Sequence, residues 1–109
     1  MQSKLIKVRD ALTSIENLKV YHYWHPRLEA PYCIWAEESE GDSIWTSNHL
    51  QEQIIQGSVD YFTKTEFDPV VDEIQSALNG VELLGWNLEA VLYEDETNLI
   101  HYTWSFEVA

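Results

Sequence analysis

Histidine is the residue type here that most often serves metal binding or proton transfer, and the chain contains four. His22 and His25 lie three residues apart in a stretch with the pattern of a strand. Their side chains therefore point to opposite faces and cannot share a metal ion. His49 and His101 are isolated in the sequence. We expect no metal centre.

Other catalytic signatures are absent from the sequence, which has no glycine-rich phosphate loop, nucleophile elbow or zinc-protease motif. The lone Cys33 lies in PYCIW without a basic neighbour, the setting of a small buried thiol, and it has no internal disulfide partner. With 19 carboxylates, some pair must lie close together, so such a pair is weak evidence of acid–base catalysis. We expect neither an enzyme nor a bound cofactor.

The net charge of −13 is distributed unevenly along the chain. Residues 1–50 carry five basic and seven acidic side chains, a balance of −2, whereas residues 51–109 carry only Lys64 against twelve acids, a balance of −11. Such a surface repels phosphate, so direct binding to nucleic acid is not expected. Solubility, a basic partner, mimicry of DNA, or a wall past which DNA slides all remain open.

Length and composition indicate one folded domain, residues 1–109, with 45% hydrophobic residues. No apolar run approaches the ~20 residues of a membrane span, and the N-terminal stretch MQSKLIKVRDAL lacks the pattern of a signal peptide. We therefore predict a domain that does not enter a membrane.

The N-terminal third predicts a helix followed by two strands. Apolar residues recur every three or four positions over residues 3–17, with Ser3 as a cap and Asn17 as a left-handed stop. Residues 19–25 and 32–38 have the pattern of strands joined by a turn.

Bulky residues on both faces of the 19–25 strand indicate either a helix layer on each side of the sheet or one face that meets a partner. Tyr21 and Tyr23 fall on one face of it and, with aromatic groups typical of interface centres, they are candidate partner-contact residues. The alternative is an ordinary two-layer core with some exposed tyrosines.

Residues 39–50 interrupt the pattern with small and polar residues around Ile44 and Trp45. This composition predicts a mobile loop with an apolar tip, and both residues are further interface candidates. The alternative is that they fold back onto the domain.

A strand, a helix and a closing hairpin complete the chain. Alternation around Gly57 predicts a long strand with a bulge or a close backbone approach. Asp68 and Gly80 bound a helix as N-cap and stop, and a turn near Thr97–Asn98 joins the last two strands. The fold class is α+β, a mostly antiparallel sheet of about five strands with two packed helices in the order α-β-β-β-α-β-β.

Three segments resemble the small tail-terminator, or tail-completion, proteins of long-tailed bacteriophages and prophages. They are VYHYWHPRLEAPYCIWAEE, with its VYxY and PYxxW patterns, then IIQGSVDYFTKTEFDPVVDEIQSALN and LEAVLYEDETNLIHYTWSFEV. The resemblance covers nearly the whole chain, and its motifs are structural. The family has no catalytic residues to carry over, and its interface residues vary too much to transfer.

The resemblance implies a structural virion protein made in the bacterial cytoplasm and located at the head–tail junction. Its subunits would form a ring, usually six-fold, that contacts tail-tube and head-connector proteins while DNA passes through. Alternatives are another neck or minor capsid protein of the same gene cluster, an acidic DNA-mimicking inhibitor and, third, an enzyme with a real pocket.

Overall fold

Two helices and five strands form from the residues described by the computed structural model, namely 1–24, 29–40 and 53–109. In chain order they are α1 (Gln2–Thr13), β1 (Val20–His22), β2 (Tyr32–Glu40), β3 (Ile55–Thr63), α2 (Val70–Asn79), β4 (Leu84–Glu94) and β5 (Leu99–Val108). Neither of these helices, of 12 and 10 residues, is long and apolar enough to cross a bilayer.

The five strands form one sheet in the spatial order β1-β2-β3-β5-β4. Every neighbouring pair is antiparallel except β1 with β2, which is parallel. The predicted fold class, an α+β domain with a mostly antiparallel five-stranded sheet and two helices, is confirmed. The three-residue β1 and the eleven-residue β4 form the two edges of the sheet.

Both helices pack on the same face of the sheet. Alternate residues of β3 are buried, and the neighbouring β5 contributes Trp104, Phe106 and Val108 to the same core. Leu12 of α1 and Ile74 of α2 are fully buried against this layer. Apolar residues recur every two positions in the strands and every three or four positions in the helices, and together they form one continuous core.

Gly57 in the middle of β3 leaves room for neighbouring atoms to pack directly against its backbone. A Cβ atom at this position would collide with the Phe106 ring and with the Ala36 backbone carbonyl. The predicted close approach is confirmed, and its cause is the large Phe106 ring lying over the β3 backbone.

Asp68 makes the capping hydrogen bond predicted for it, although α2 begins at Val70 and Pro69 occupies the N-cap position. One carboxylate oxygen accepts a hydrogen bond of 2.9 Å from the Val70 backbone N–H. The other oxygen accepts hydrogen bonds of 2.7 Å from the Tyr61 and Thr63 hydroxyls, both on buried positions of β3. The cap thus joins the start of the helix to the core face of the sheet.

Two predicted boundaries in the N-terminal third were wrong. Helix α1 ends at Thr13, four residues before Asn17, and the Thr13 and Ser14 hydroxyls donate to its last backbone carbonyls. Asn17 does adopt the predicted left-handed backbone, with φ 63°, but Ser3 makes no capping hydrogen bond. The first strand ends at His22, because Tyr23 is also left-handed, with φ 76°.

Candidate interaction surfaces

The sheet has an open face, defined as the strand face opposite α1 and α2. The strand register places a mixed set of aromatic, apolar and polar side chains on it. Its central members are Tyr21, Tyr32, Ile34, Asp60, Phe62, His101 and Thr103.

An aromatic row crosses the open face from β2 to β5. The Tyr32 ring stacks on Phe62 with 4.8 Å between ring centroids, and Phe62 stacks on His101 at 4.0 Å. Tyr32 is buried, and burial raises the pKa of its hydroxyl, with a smaller contribution from the Glu94 carboxylate. The row is therefore a packed surface that spans three strands.

His101 and Thr103 share one carboxylate, that of Asp60. The His101 Nε2 lies 2.7 Å from Asp60 Oδ1, and the Thr103 hydroxyl donates to the same oxygen at 2.8 Å. The Thr103 oxygen also lies 3.2 Å from His101 Nε2. A catalytic triad requires the carboxylate and the nucleophile on opposite nitrogens of the imidazole. Here the Asp60 carboxylate and the Thr103 hydroxyl are both at Nε2. The acid facing Nδ1 is Glu94, whose carboxylate lies 3.7 Å away and beyond hydrogen-bond distance, so a fully hydrogen-bonded triad is not formed.

Tyr21 and Tyr23, predicted to share a face of one strand, are separated by the end of β1. Tyr21 is half-buried on the open face beside Ile34 of β2. Tyr23 follows the strand in a left-handed conformation, and its side chain is 58% exposed. The left-handed turn breaks the alternation of side chains, so the two tyrosines do not share one strand face. Each stays a candidate for partner contact.

Tyr23 is instead held at the β1 edge with His22. The two rings stack at 3.8 Å, and His22 stacks in turn on the buried Trp35 at 4.0 Å. Both His22 Nε2, at 2.7 Å, and the Tyr23 hydroxyl make hydrogen bonds to the Glu37 carboxylate. Burial alone would raise the pKa of Glu37, but these hydrogen bonds outweigh it and lower that pKa. The β1 edge therefore presents an ordered aromatic surface.

The opposite edge, β4, exposes most of its apolar side chains. Val91, Leu92 and Tyr93 are consecutive, so they project on both sides of the sheet, and each is at least half exposed. Leu88 is also exposed on this strand, and Leu83 is exposed just before the strand begins. The sequence prediction placed β4 in the closing hairpin but did not identify it as an interface candidate. Three successive apolar residues in a strand were the available signal.

A groove of about 680 Å³ lies at the end of the sheet where β4 begins and β5 ends. Glu38, Glu89 and Glu107 line it, and two of these acids have neutral partners. Ser105 donates to Glu89 at 2.6 Å, and the Gln56 amide donates to Glu107 at 2.9 Å. Within the described part of the chain, no group of three or more His, Cys, Asp or Glu residues could hold a metal ion.

The other residues considered in the sequence analysis are Cys33, the four histidines, Ile44 and Trp45. Cys33 is fully buried, and burial raises the pKa of its thiol, so it stays protonated and unreactive in the folded protein. His22 and His101 take part in the aromatic surfaces above. Ile44 and Trp45 lie outside the described residues, as do His25 and His49.

Comparison with known proteins gives no family assignment. No protein-family model and no curated protein matches the chain. Its interaction surfaces therefore have to be interpreted from their own geometry and charge.

Proposed function

We propose that the chain is a structural subunit of a phage or prophage virion, located at the head–tail junction. In this role it forms part of a ring that terminates or completes the tail and contacts the tail tube and the head connector. DNA passes through the ring without binding to its subunits. The resemblance of the three sequence segments leads to this proposal.

One structural observation carries the proposal furthest: large apolar side chains are exposed at both edges of a single sheet. Tyr23 and Trp24 are exposed just after β1, and Val91, Leu92 and Tyr93 are exposed on β4. A subunit in a closed ring contacts one neighbour on each side, so it needs two different contact patches. Apolar patches at opposite edges are suited to that requirement.

The charge distribution is consistent with a passage for DNA. After Lys64 the chain has ten acidic residues and no lysine or arginine. The exposed acids include Asp72 and Glu73 on α2 and Asp95 and Glu96 in the β4–β5 turn. Carboxylates that face a channel repel phosphate and so prevent DNA from adhering to the wall.

The same charge favours a second candidate, an acidic inhibitor that mimics DNA. That function requires carboxylates at phosphate-like spacing on one convex surface. The exposed acids instead occur on α2, on the β4–β5 turn and around the groove at Glu89 and Glu107. This spread over several elements favours the ring subunit. Displacement of DNA from a DNA-binding enzyme by the purified protein would support the inhibitor.

The decisive experiment for the proposed function is deletion of the gene from a phage or prophage that carries it. We expect filled heads and separate tails, with the tails uneven in length or unable to attach. Heads that lose their DNA would instead favour another neck protein. Normal infectious particles would contradict both structural roles. Re-expression of the intact gene in the deletion strain is the control.

A further inference from the structure

We infer that the β4 edge of one copy of this chain docks against the β1 edge of a second copy, in a head-to-tail contact. The partner is thus the chain itself. The inference rests on the proposed ring and specifies which two surfaces form its repeated contact.

The β4 edge is suited to docking in its backbone and in its side chains. At eleven residues it is the longest strand described, and its outer backbone groups have no neighbouring strand among the described residues. Natural edge strands commonly carry lysine or proline, which discourage pairing, and β4 has neither. Its one irregularity is a bulge between Leu88 and Ala90, and the strand pairs regularly with β5 from Ala90 to Glu94. It instead exposes Val91, Leu92 and Tyr93. An exposed strand of this composition is typical of an interaction surface.

The β1 edge offers a complementary surface. Trp24 is 68% exposed next to Tyr23, whose ring is fixed by the stack on His22 and by the hydrogen bond to Glu37. Aromatic side chains that are already ordered lose little conformational freedom on binding, which favours them as interface anchors. β1 has only three residues, so side chains contribute more to this contact than strand pairing.

The two edges differ in charge: the β1 side has exposed bases together with the Glu37 carboxylate, whereas the β4 side has acids alone. Residues 1–24 carry four basic and two acidic side chains, and Lys7, Arg9 and Lys19 are exposed there. On the other side, β4 and the turn after it carry Glu89, Glu94, Asp95 and Glu96 without a single lysine or arginine. Two copies of the β4 edge would set acids against acids, whereas β4 against the β1 side brings some of these acids towards exposed bases. Charge therefore disfavours a two-fold dimer through β4 more than it disfavours the head-to-tail arrangement.

Chemical cross-linking between engineered cysteines tests this contact directly. In the variant W24C/V91C, each subunit carries one exposed thiol at either edge, while the native Cys33 is fully buried and does not react. A short bis-maleimide added to concentrated protein should give a ladder of covalent oligomers. A mixture of the W24C and V91C single variants should give one covalent dimer and nothing larger.

The matched control moves one thiol to an exposed aromatic position away from both edges. Phe67, in the connection between β3 and α2, is 89% exposed, so F67C/V91C offers equal reactivity without the proposed contact. It should give at most a tenth of the oligomer formed by W24C/V91C. Equal ladders from both proteins would overturn the inference, as would the absence of a ladder from W24C/V91C.

The single variant V91C distinguishes the alternative symmetry. Efficient dimers from V91C alone would mean that two β4 edges meet across a two-fold axis, which overturns the head-to-tail contact. The two experiments test different proposals: cross-linking tests the contact between subunits, and gene deletion tests the role in a phage. A ladder together with normal infectious particles would keep the contact and remove the phage role, whereas defective tails without a ladder would place the ring contact elsewhere.

Discussion

The Tyr61 hydroxyl donates a hydrogen bond of 2.7 Å to Asp68 Oδ2, which links the buried centre of β3 to the first turn of α2. The same carboxylate accepts from the Thr63 hydroxyl and from the Val70 backbone N–H. One acidic residue therefore satisfies three donors. Because Thr63 and Tyr61 are buried, no solvent molecule easily replaces the carboxylate.

Replacing Asp68 should destabilise the fold. Asp68→Ala removes a helix cap and leaves two buried hydroxyls without their acceptor, so we expect the free energy of unfolding to fall by about 2–4 kcal/mol. Urea denaturation followed by tryptophan fluorescence measures the change. Glu66→Ala, at an exposed position two residues earlier, should stay within about 0.5 kcal/mol of the wild type. Similar values for both variants would show that the cap contributes little.

Acid should weaken the fold through Asp68 and Glu37. Burial raises the pKa of the Asp68 carboxyl, but hydrogen bonds from Tyr61, Val70 and Thr63 outweigh burial and lower it below its ordinary value. The pKa of Glu37 is also below its ordinary value, because hydrogen bonds from Tyr23 and His22 outweigh the effect of burial. Such carboxylates stabilise the folded state above their unfolded pKa values of about 4, and the contribution is lost as the pH falls through the folded values.

We therefore expect the urea midpoint to be lower at pH 3 than at pH 6. The drop should be smaller in Asp68→Asn, because that side chain keeps the cap but cannot titrate in this range. An equal drop in Asp68→Asn and in the wild type would assign the acid sensitivity to other carboxylates.

Gly57 and Gly85 both lie in strands, but their replacement by alanine should affect the stability of the fold differently. A Cβ atom at Gly57 would overlap the Phe106 ring and a backbone carbonyl, so Gly57→Ala should lower the free energy of unfolding by about 2 kcal/mol or more. A Cβ atom at Gly85 meets no atom within 4 Å, and Gly85→Ala should be neutral or slightly stabilising. Thermal unfolding of both variants tests the difference. A stable Gly57→Ala variant would mean that both the Phe106 ring and the backbone at the Ala36 carbonyl can shift.

The purified protein should not bind duplex DNA. Residues 51–109 carry a balance of −11, and electrostatic repulsion is least screened at low salt. Fluorescence anisotropy of a labelled duplex at ~50 mM salt should show no change at micromolar protein. Binding under these conditions would contradict a passive channel wall. A basic DNA-binding protein in the same buffer verifies that the assay detects association.

Local sequence signals determined the elements of the fold. The order of helices and strands, the capping role of Asp68 and the turn at Thr97–Asn98 all follow from the types and spacing of a few residues. These features depend on contacts between neighbours in the chain, which a sequence pattern records directly. The close approach at Gly57 could also be anticipated, although its partner Phe106 could not.

Tertiary structure decided where those elements lie in the sheet and so which surfaces are exposed. The sequence pattern of β4 is that of a strand in a hairpin, but only the order β1-β2-β3-β5-β4 makes it an edge with Val91, Leu92 and Tyr93 uncovered. Likewise, the left-handed turn at Tyr23 removes it from the face predicted for Tyr21. The order of the strands and the end of β1 at Tyr23 depend on contacts between residues far apart in sequence. Local periodicity carries no information about those contacts.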